Sequence, residues 1–286
     1  MNFLKSLFIP LYMMPLLGVS AYAASMLVQG GAVLSWGGVL MTTAPMTLFF
    51  GYAMASRKVS RTSARLPIMM AMGILGCGVS GWEWIAGTGE PVAMMLAGGG
   101  LLGFLAYAYW YSELGRAGGV IALGKSLPEF SLRAIDGTWV SSSSMVGRPT
   151  IMIFFRGNWC PLCMAQIREI AARYQELGRL GVRVALVSPQ PHDQTIALAK
   201  SYRVNFQFLT DVGNVAARKL GIAAPWGVPL GMQMLGYDSE TVLPTVVITD
   251  SAGRVIWTHE TDNYRIRPEP DTFLEVLRGT GIVAAA

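Results

Sequence analysis

Phe154-Phe155-Arg156-Gly157-Asn158-Trp159-Cys160-Pro161-Leu162-Cys163 is the stretch on which the reading of this chain turns. The apolar run Thr150–Phe155 lies between Arg148-Pro149 and Arg156-Gly157, the pattern of a strand buried on both faces. Beyond the two cysteines, Ile167, Ile170, Ala171, Tyr174 and Leu177 recur at helical spacing from Cys160 to about Leu180, with a stop at Gly181. The thiols therefore sit where a core strand hands over to a helix. Cys160 falls at the helix N-terminus, where unpaired N–H groups and the macrodipole favour an anion, so it is expected to be the more acidic and more exposed thiol. Cys163 lies one turn deeper, within reach of a small disulfide. Pro161 in the first turn sacrifices no hydrogen bond. A structural zinc site needs four ligands, and the chain has three cysteines, two histidines and no second paired motif. The spacing predicts dithiol redox chemistry at Cys160 and Cys163, without metal or cofactor.

Working outward, short alternating segments replace long apolar runs. Phe130–Ile135, Asp136-Gly137 and Trp139-Val140 read as a hairpin. Val182–Val187 and Phe206–Leu209 read as strands, with helices at Asp193–Tyr202 and Val212–Leu220. Pro244–Thr249 and Val255–His259 flank the turn Asp250–Gly253, and Pro270 opens a last helix to Arg278. Strand and helix alternate, then a hairpin and a helix follow. That order predicts an α/β fold with a mixed central sheet.

The N-terminal part has another character. Mean hydropathy is +0.44 and only 14% of residues are charged, against about 25% in ordinary soluble domains. Up to Gly118 there are six basic and three acidic residues; sixteen and fourteen follow it. Leu7–Val28, Ala32–Ala55, Leu66–Ala86 and Val92–Tyr111 each approach the ~20 apolar residues that cross a bilayer. This predicts an all-α transmembrane bundle of four helices over 1–111, a linker over 112–126 and the redox domain over 127–286. Lys5, Arg57, Lys58, Arg61 and Arg65 put the N-terminus and second loop in the cytoplasm, and four crossings return the chain there. The expected location is the cell membrane, multi-pass, with a cytoplasmic redox domain. The net charge of +5 is thus a topology signal rather than a nucleic-acid one. Trp36, Trp82 and Trp84 read as an outer aromatic belt. Gly73, Cys77 and Gly81 read as a packing stripe, with Gly99 and Gly103 as its counterpart on the fourth helix.

Trp159-Cys160-Pro161-Leu162-Cys163 resembles the thioredoxin-type WCxxC, and Leu243-Pro244-Thr245 resembles the cis-proline segment of that fold. Gly124-Lys-Ser-Leu-Pro-Glu-Phe-Ser-Leu132, Val187-Ser-Pro189 and Val247-Ile-Thr-Asp250 are similar to blocks of the peroxiredoxin family of alkyl hydroperoxide reductase and thiol-specific antioxidant type. Asp262-Asn-Tyr-Arg265-Ile-Arg267-Pro-Glu-Pro270 resembles its peroxiredoxin-like subgroup. The resemblance covers about 124–280 and implies a thioredoxin-like fold, with Pro244 and Thr245 facing the dithiol beside Trp159 and Pro161. It aligns Cys163 with the peroxidatic cysteine and Cys160 with that site's threonine. Pro244 stands where the family's arginine falls, and Arg156 is the candidate substitute. Two assignments stay open: Cys160 attacking disulfides with Cys163 resolving, or Cys163 attacking a lipid or alkyl hydroperoxide with Cys160 resolving. A redox sensor is the non-enzymatic alternative. The partners implied are the lipid bilayer, a thioredoxin or glutathione-type thiol donor, and a peroxide or protein disulfide.

Overall fold

The computed structural model describes residues 2–116 and 118–282, which fall into two compact units. One comprises Leu7–Arg57 and Thr62–Glu113; the other comprises Leu114 onward and takes in Met1–Ser6 and Lys58–Arg61.

The first unit is built on α1 (Asn2–Val28), α2 (Val33–Ser56), α3 (Pro67–Ile85) and α4 (Pro91–Ala106), the last extended by a π-turn to Tyr111. All four are long and apolar enough to span a membrane. Pro10 and Pro15 lie inside α1 and Pro45 inside α2 without ending either helix. The tightest crossing is not on the Gly73–Gly81 stripe. It lies between α2 and α3, where a methyl group on Gly38 would meet Gly76 O at 2.5 Å and one on Gly76 would meet Gly38 O at 2.5 Å. Only glycine lets these backbones touch. Gly73 instead faces Leu101 and Gly81 faces Met94, Gly103 packs on Tyr12, and Gly99 has open space beside it. Trp36 is buried rather than belt-like, and its indole N–H donates to Glu90 Oε1 at 3.0 Å.

The second unit is an α/β domain whose seven-stranded mixed sheet runs β2-β1-β5-β4-β3-β8-β9. These strands are β1 (Ser131–Ala134), β2 (Trp139–Ser141), β3 (Thr150–Phe154), β4 (Arg183–Ser188), β5 (Gln207–Thr210), β8 (Thr245–Thr249) and β9 (Val255–Glu260). β3, β4 and β5 are parallel; β8 runs antiparallel to β3 with Phe154 opposite Thr245. Central position explains the unbroken apolar runs, since every residue of β3 and β8 is buried.

The helices depart from the sequence reading in two places. The one after the dithiol is α5 (Pro161–Ala172) followed by α6 (Tyr174–Arg179), broken where Arg173 leaves helical geometry at φ −100°, ψ 10°. The helix expected over Val212–Leu220 shrinks to α8 (Val215–Lys219), because Asn214 turns left-handed. Asp211 caps that start, its two carboxylate oxygens accepting from Ala216 N and Ala217 N at 2.9 Å each. α7 (His192–Ser201) and α9 (Pro270–Gly279) match the pattern. A small sheet of β6 (Ala223–Ala224) and β7 (Thr241–Val242) was not legible in sequence, each strand being two residues long.

Candidate active site

β3 ends at Phe154 and α5 begins at Pro161, so the intervening turn carries Cys160 and the first turn of α5 carries Cys163, at the carboxyl end of the parallel strands. Cys160 is the N-cap of α5 in extended conformation, and its carbonyl accepts from Met164 N at 3.1 Å. Pro161 is the first helical residue, where a missing N–H is harmless. Gly157 makes the turn at φ +146°, and a methyl group there would lie 2.6 Å from Trp159 Nε1. Gly157→Ala is therefore expected to destabilise the fold by about 1–3 kcal/mol and to slow thiol reactivity more than tenfold. Thermal melts and alkylation rates check this; a melting point within a degree of wild type contradicts it.

Both thiols are free and buried, Cys160 at 2% and Cys163 at 0% exposure, with sulfurs 2.8 Å apart. The order of acidity expected from helix position is reversed. Burial opposes the Cys163 thiolate, yet the Cys160 S–H, the Arg267 guanidinium, and the Arg156 backbone N–H and charge outweigh it, bringing Cys163 down to about 5. Burial, then the hydrogen bond to Cys163 and its negative charge, push the Cys160 thiol well up. Helix position alone misleads here, because it omits burial and the cations.

Arg267 is the residue that sequence reading missed. Its Nη2 reaches Cys163 Sγ at 3.5 Å, Nη1 donates to Gln166 Oε1 at 2.9 Å and Nε donates to Tyr264 O at 3.1 Å. It comes from a loop some hundred residues downstream; the Arg265-Ile-Arg267 pair was visible, its destination was not. Arg156 stands close by, its guanidinium 4.8 Å over the Trp159 ring and 5.6 Å from Tyr264, donating to Gly227 O. Thr241 Oγ1 donates to the Arg156 carbonyl at 2.7 Å. Trp159 Nε1 and Gln166 Nε2 are buried donors with no partner among the described residues.

Pro244 and Thr245 share one crevice with Phe154, Gln166 and Arg267. No peptide bond among the described residues is cis, so Pro244 does not reproduce the cis-proline of the resemblance. Leu243 N bonds to Ile222 O at 2.7 Å, and the chain enters β8 extended behind β7. The Pro244 carbonyl accepts from Arg116, which also donates to Thr245 Oγ1 at 3.1 Å. His192 is linked to the site through Thr210, Thr195 and Gln190, the last accepting from Asn158 N at 2.8 Å. Asp271 pairs with Arg173 at the surface. His259, near Arg267 and Arg116, is held neutral: burial first, then both cations, bring it down to about 4. Among the described residues, no group of three or more His, Cys, Asp or Glu side chains is arranged to hold a metal.

A mixed sheet with a buried dithiol at its strand-to-helix junction is a thioredoxin-like fold. Residues 123–258 match the AhpC/TSA family. Over that stretch the chain is similar to peroxiredoxins. Peroxiredoxin Q, chloroplastic, of Triticum aestivum is 31% identical over 111 residues, spanning 39% of this chain and 48% of that protein. The counterpart from Populus jackii is 28% identical over 124 residues, 43% of this chain and 58% of the relative. The chain thus spans about half the length of these curated relatives. Peroxiredoxin Bcp of Escherichia coli (strain K12) is 23% identical over 155 residues, 54% of this chain and 94% of the relative. Among solved structures, peroxidoxin BcpB from Mycobacterium tuberculosis aligns with 56% of this chain and 97% of its own, at 17% identity and a TM-score of 0.47.

Proposed function

We propose that the chain is a membrane-anchored thiol peroxidase of peroxiredoxin-like type, in which Cys163 attacks and Cys160 resolves. One observation carries the reading: the buried Cys163 sulfur lies 3.5 Å from Arg267 and 2.8 Å from Cys160. In the first step the Cys163 thiolate attacks a peroxide oxygen. The O–O bond breaks, Cys163 becomes a sulfenic acid, and the alkoxide or hydroxide leaves and takes up a proton. Arg267, 3.5 Å from the Cys163 sulfur, is the group that would stabilise the negative charge spreading during that displacement. In the second step the Cys160 sulfur displaces water from the sulfenic acid and closes the disulfide. Two electrons and two protons from a thioredoxin or glutathione-type donor restore the dithiol.

The other assignment, Cys160 attacking protein disulfides, fits less well. Burial and the neighbouring Cys163 push the Cys160 thiol up, so it stays protonated and is the weaker nucleophile of the two. The test uses the full chain in lipid nanodiscs, assayed side by side for consumption of hydrogen peroxide and alkyl hydroperoxides and for reduction of insulin disulfides. Peroxide turnover with little insulin reduction is expected; the opposite pattern returns Cys160 to the attacking role. Stoichiometric oxidation without turnover, under a supply of reductant, points to a sensor.

We further infer four spans over 1–111, with the linker 112–126 leading to a redox domain 127–286 in the cytoplasm. The Arg57–Arg65 cluster and the apolar helices support this. An alkaline phosphatase fused after Ala286 is expected to be inactive in a bacterial host and a fluorescent protein bright. Strong phosphatase activity reverses the orientation.

A further inference from the structure

The eighteen residues from Leu220 to Tyr237 contain no charged side chain. Leu220, Ile222 and Val228 are buried, but Trp226 is 46% exposed, Leu230 47%, Leu235 66% and Met234 91%, so these four side chains point away from the domain core. The loop is nevertheless held. Val228 N donates to Ser239 O at 3.1 Å, Gly227 O accepts from Arg156, and the Tyr237 hydroxyl donates to Asn158 Oδ1. Both of its ends are therefore bonded to the turn that carries the dithiol. Its apolar surface continues onto the first turns of α1, which belong to the same unit: Phe3 packs edge-on against Trp226 at 5.2 Å, and Ser6 O accepts from Leu230 N at 2.9 Å.

An anchored, uncharged loop that exposes Trp, Leu and Met beside the start of a bilayer-length helix has the composition of an interfacial membrane segment. A patch of this kind facing water on a soluble domain attracts non-specific association.

We propose that Trp226–Leu235 is a lipid-docking loop that inserts its apolar side chains at the head-group boundary of a phospholipid bilayer and holds the dithiol turn against it. The occupant is lipid rather than a protein partner, because the patch carries no charge and is continuous with the first residues of α1, Phe3 and Ser6, in the same unit. Where the peroxidase reading holds, hydroperoxides carried by phospholipids become the favoured substrates.

The test uses the full chain in phosphatidylcholine vesicles, with Trp226→Phe as the reference for a Trp226 difference spectrum. Quenching by lipids brominated near the glycerol end, stronger than by lipids brominated at the chain terminus, is expected. A water-like difference spectrum that no brominated lipid quenches overturns the docking. In the same vesicles, the double variant Met234→Asp/Leu235→Asp is expected to lose at least tenfold in turnover of phosphatidylcholine hydroperoxide while keeping hydrogen peroxide turnover within twofold. Equal loss on both substrates makes the loop a cover for the site and overturns the proposal. Wild-type protein that consumes no peroxide but shows the quenching removes the peroxidase reading and upholds the docking.

Discussion

Cys163→Ser is expected to abolish peroxide consumption, by more than about a thousandfold, because it removes the atom that attacks the O–O bond. Cys160→Ser should behave differently. Its hydroxyl can still donate to the Cys163 sulfur, so Cys163 stays ionised and reacts once. The product is a sulfenic acid with no resolving thiol at 2.8 Å, trapped by dimedone at one equivalent per chain. Turnover with a dithiol donor then collapses, and excess peroxide carries Cys163 on to sulfinic acid. Mass spectrometry after a peroxide pulse decides between the thiols. Sulfenic acid on Cys160 in a Cys163→Ser protein that still reacts at the wild-type rate reverses the roles.

Arg267→Met is the second large effect. The guanidinium reaches Cys163 Sγ at 3.5 Å in a buried setting, and a cation that close depresses a thiol by about one to three pH units. Removing it raises the Cys163 pKa. The acid limb of the activity profile, inflecting near 5 in the wild type, should move alkaline. The sign is fixed, since losing a positive charge destabilises only the ionised form. Ionisation explains the smaller part of the loss. At pH 9 the thiolate is largely restored, yet kcat/KM should remain about a hundredfold low, because the charge leaving on the peroxide oxygen has lost its partner. Arg267→Lys should recover the pH profile better than the rate, since a single ammonium nitrogen does not reproduce the three separate guanidinium nitrogens that face Gln166, Tyr264 O and Cys163. An unchanged inflection in Arg267→Met removes the residue from the site.

Much of this could be read from the chain itself. The runs of β3, β4 and β8 are apolar because those strands are central, so burial wrote the sheet into the sequence. The dithiol and the strand-to-helix turn that presents it were equally plain, since Gly157, Pro161 and the helical spacing after Cys163 are local signals. The four apolar helices follow from run length alone. What is local in the chain is legible in it.

Tertiary structure decided the chemistry of the two sulfurs. Cys160 keeps the helix-start position that sequence assigned to it, but that contribution is overridden by burial and by the hydrogen bond and negative charge of Cys163, while the guanidinium groups favour the Cys163 thiolate. Arg267 lies 104 residues from Cys163 and meets it only because the chain folds back past β9 before α9. No spacing rule links residues so far apart. For the same reason Pro244 arrives trans with its carbonyl taken by Arg116, a residue that sequence left in a linker. Pattern fixes where a strand or a helix begins. The ionisation of a buried thiol depends on which distant charges packing brings within a few ångströms, and that was settled only by the fold.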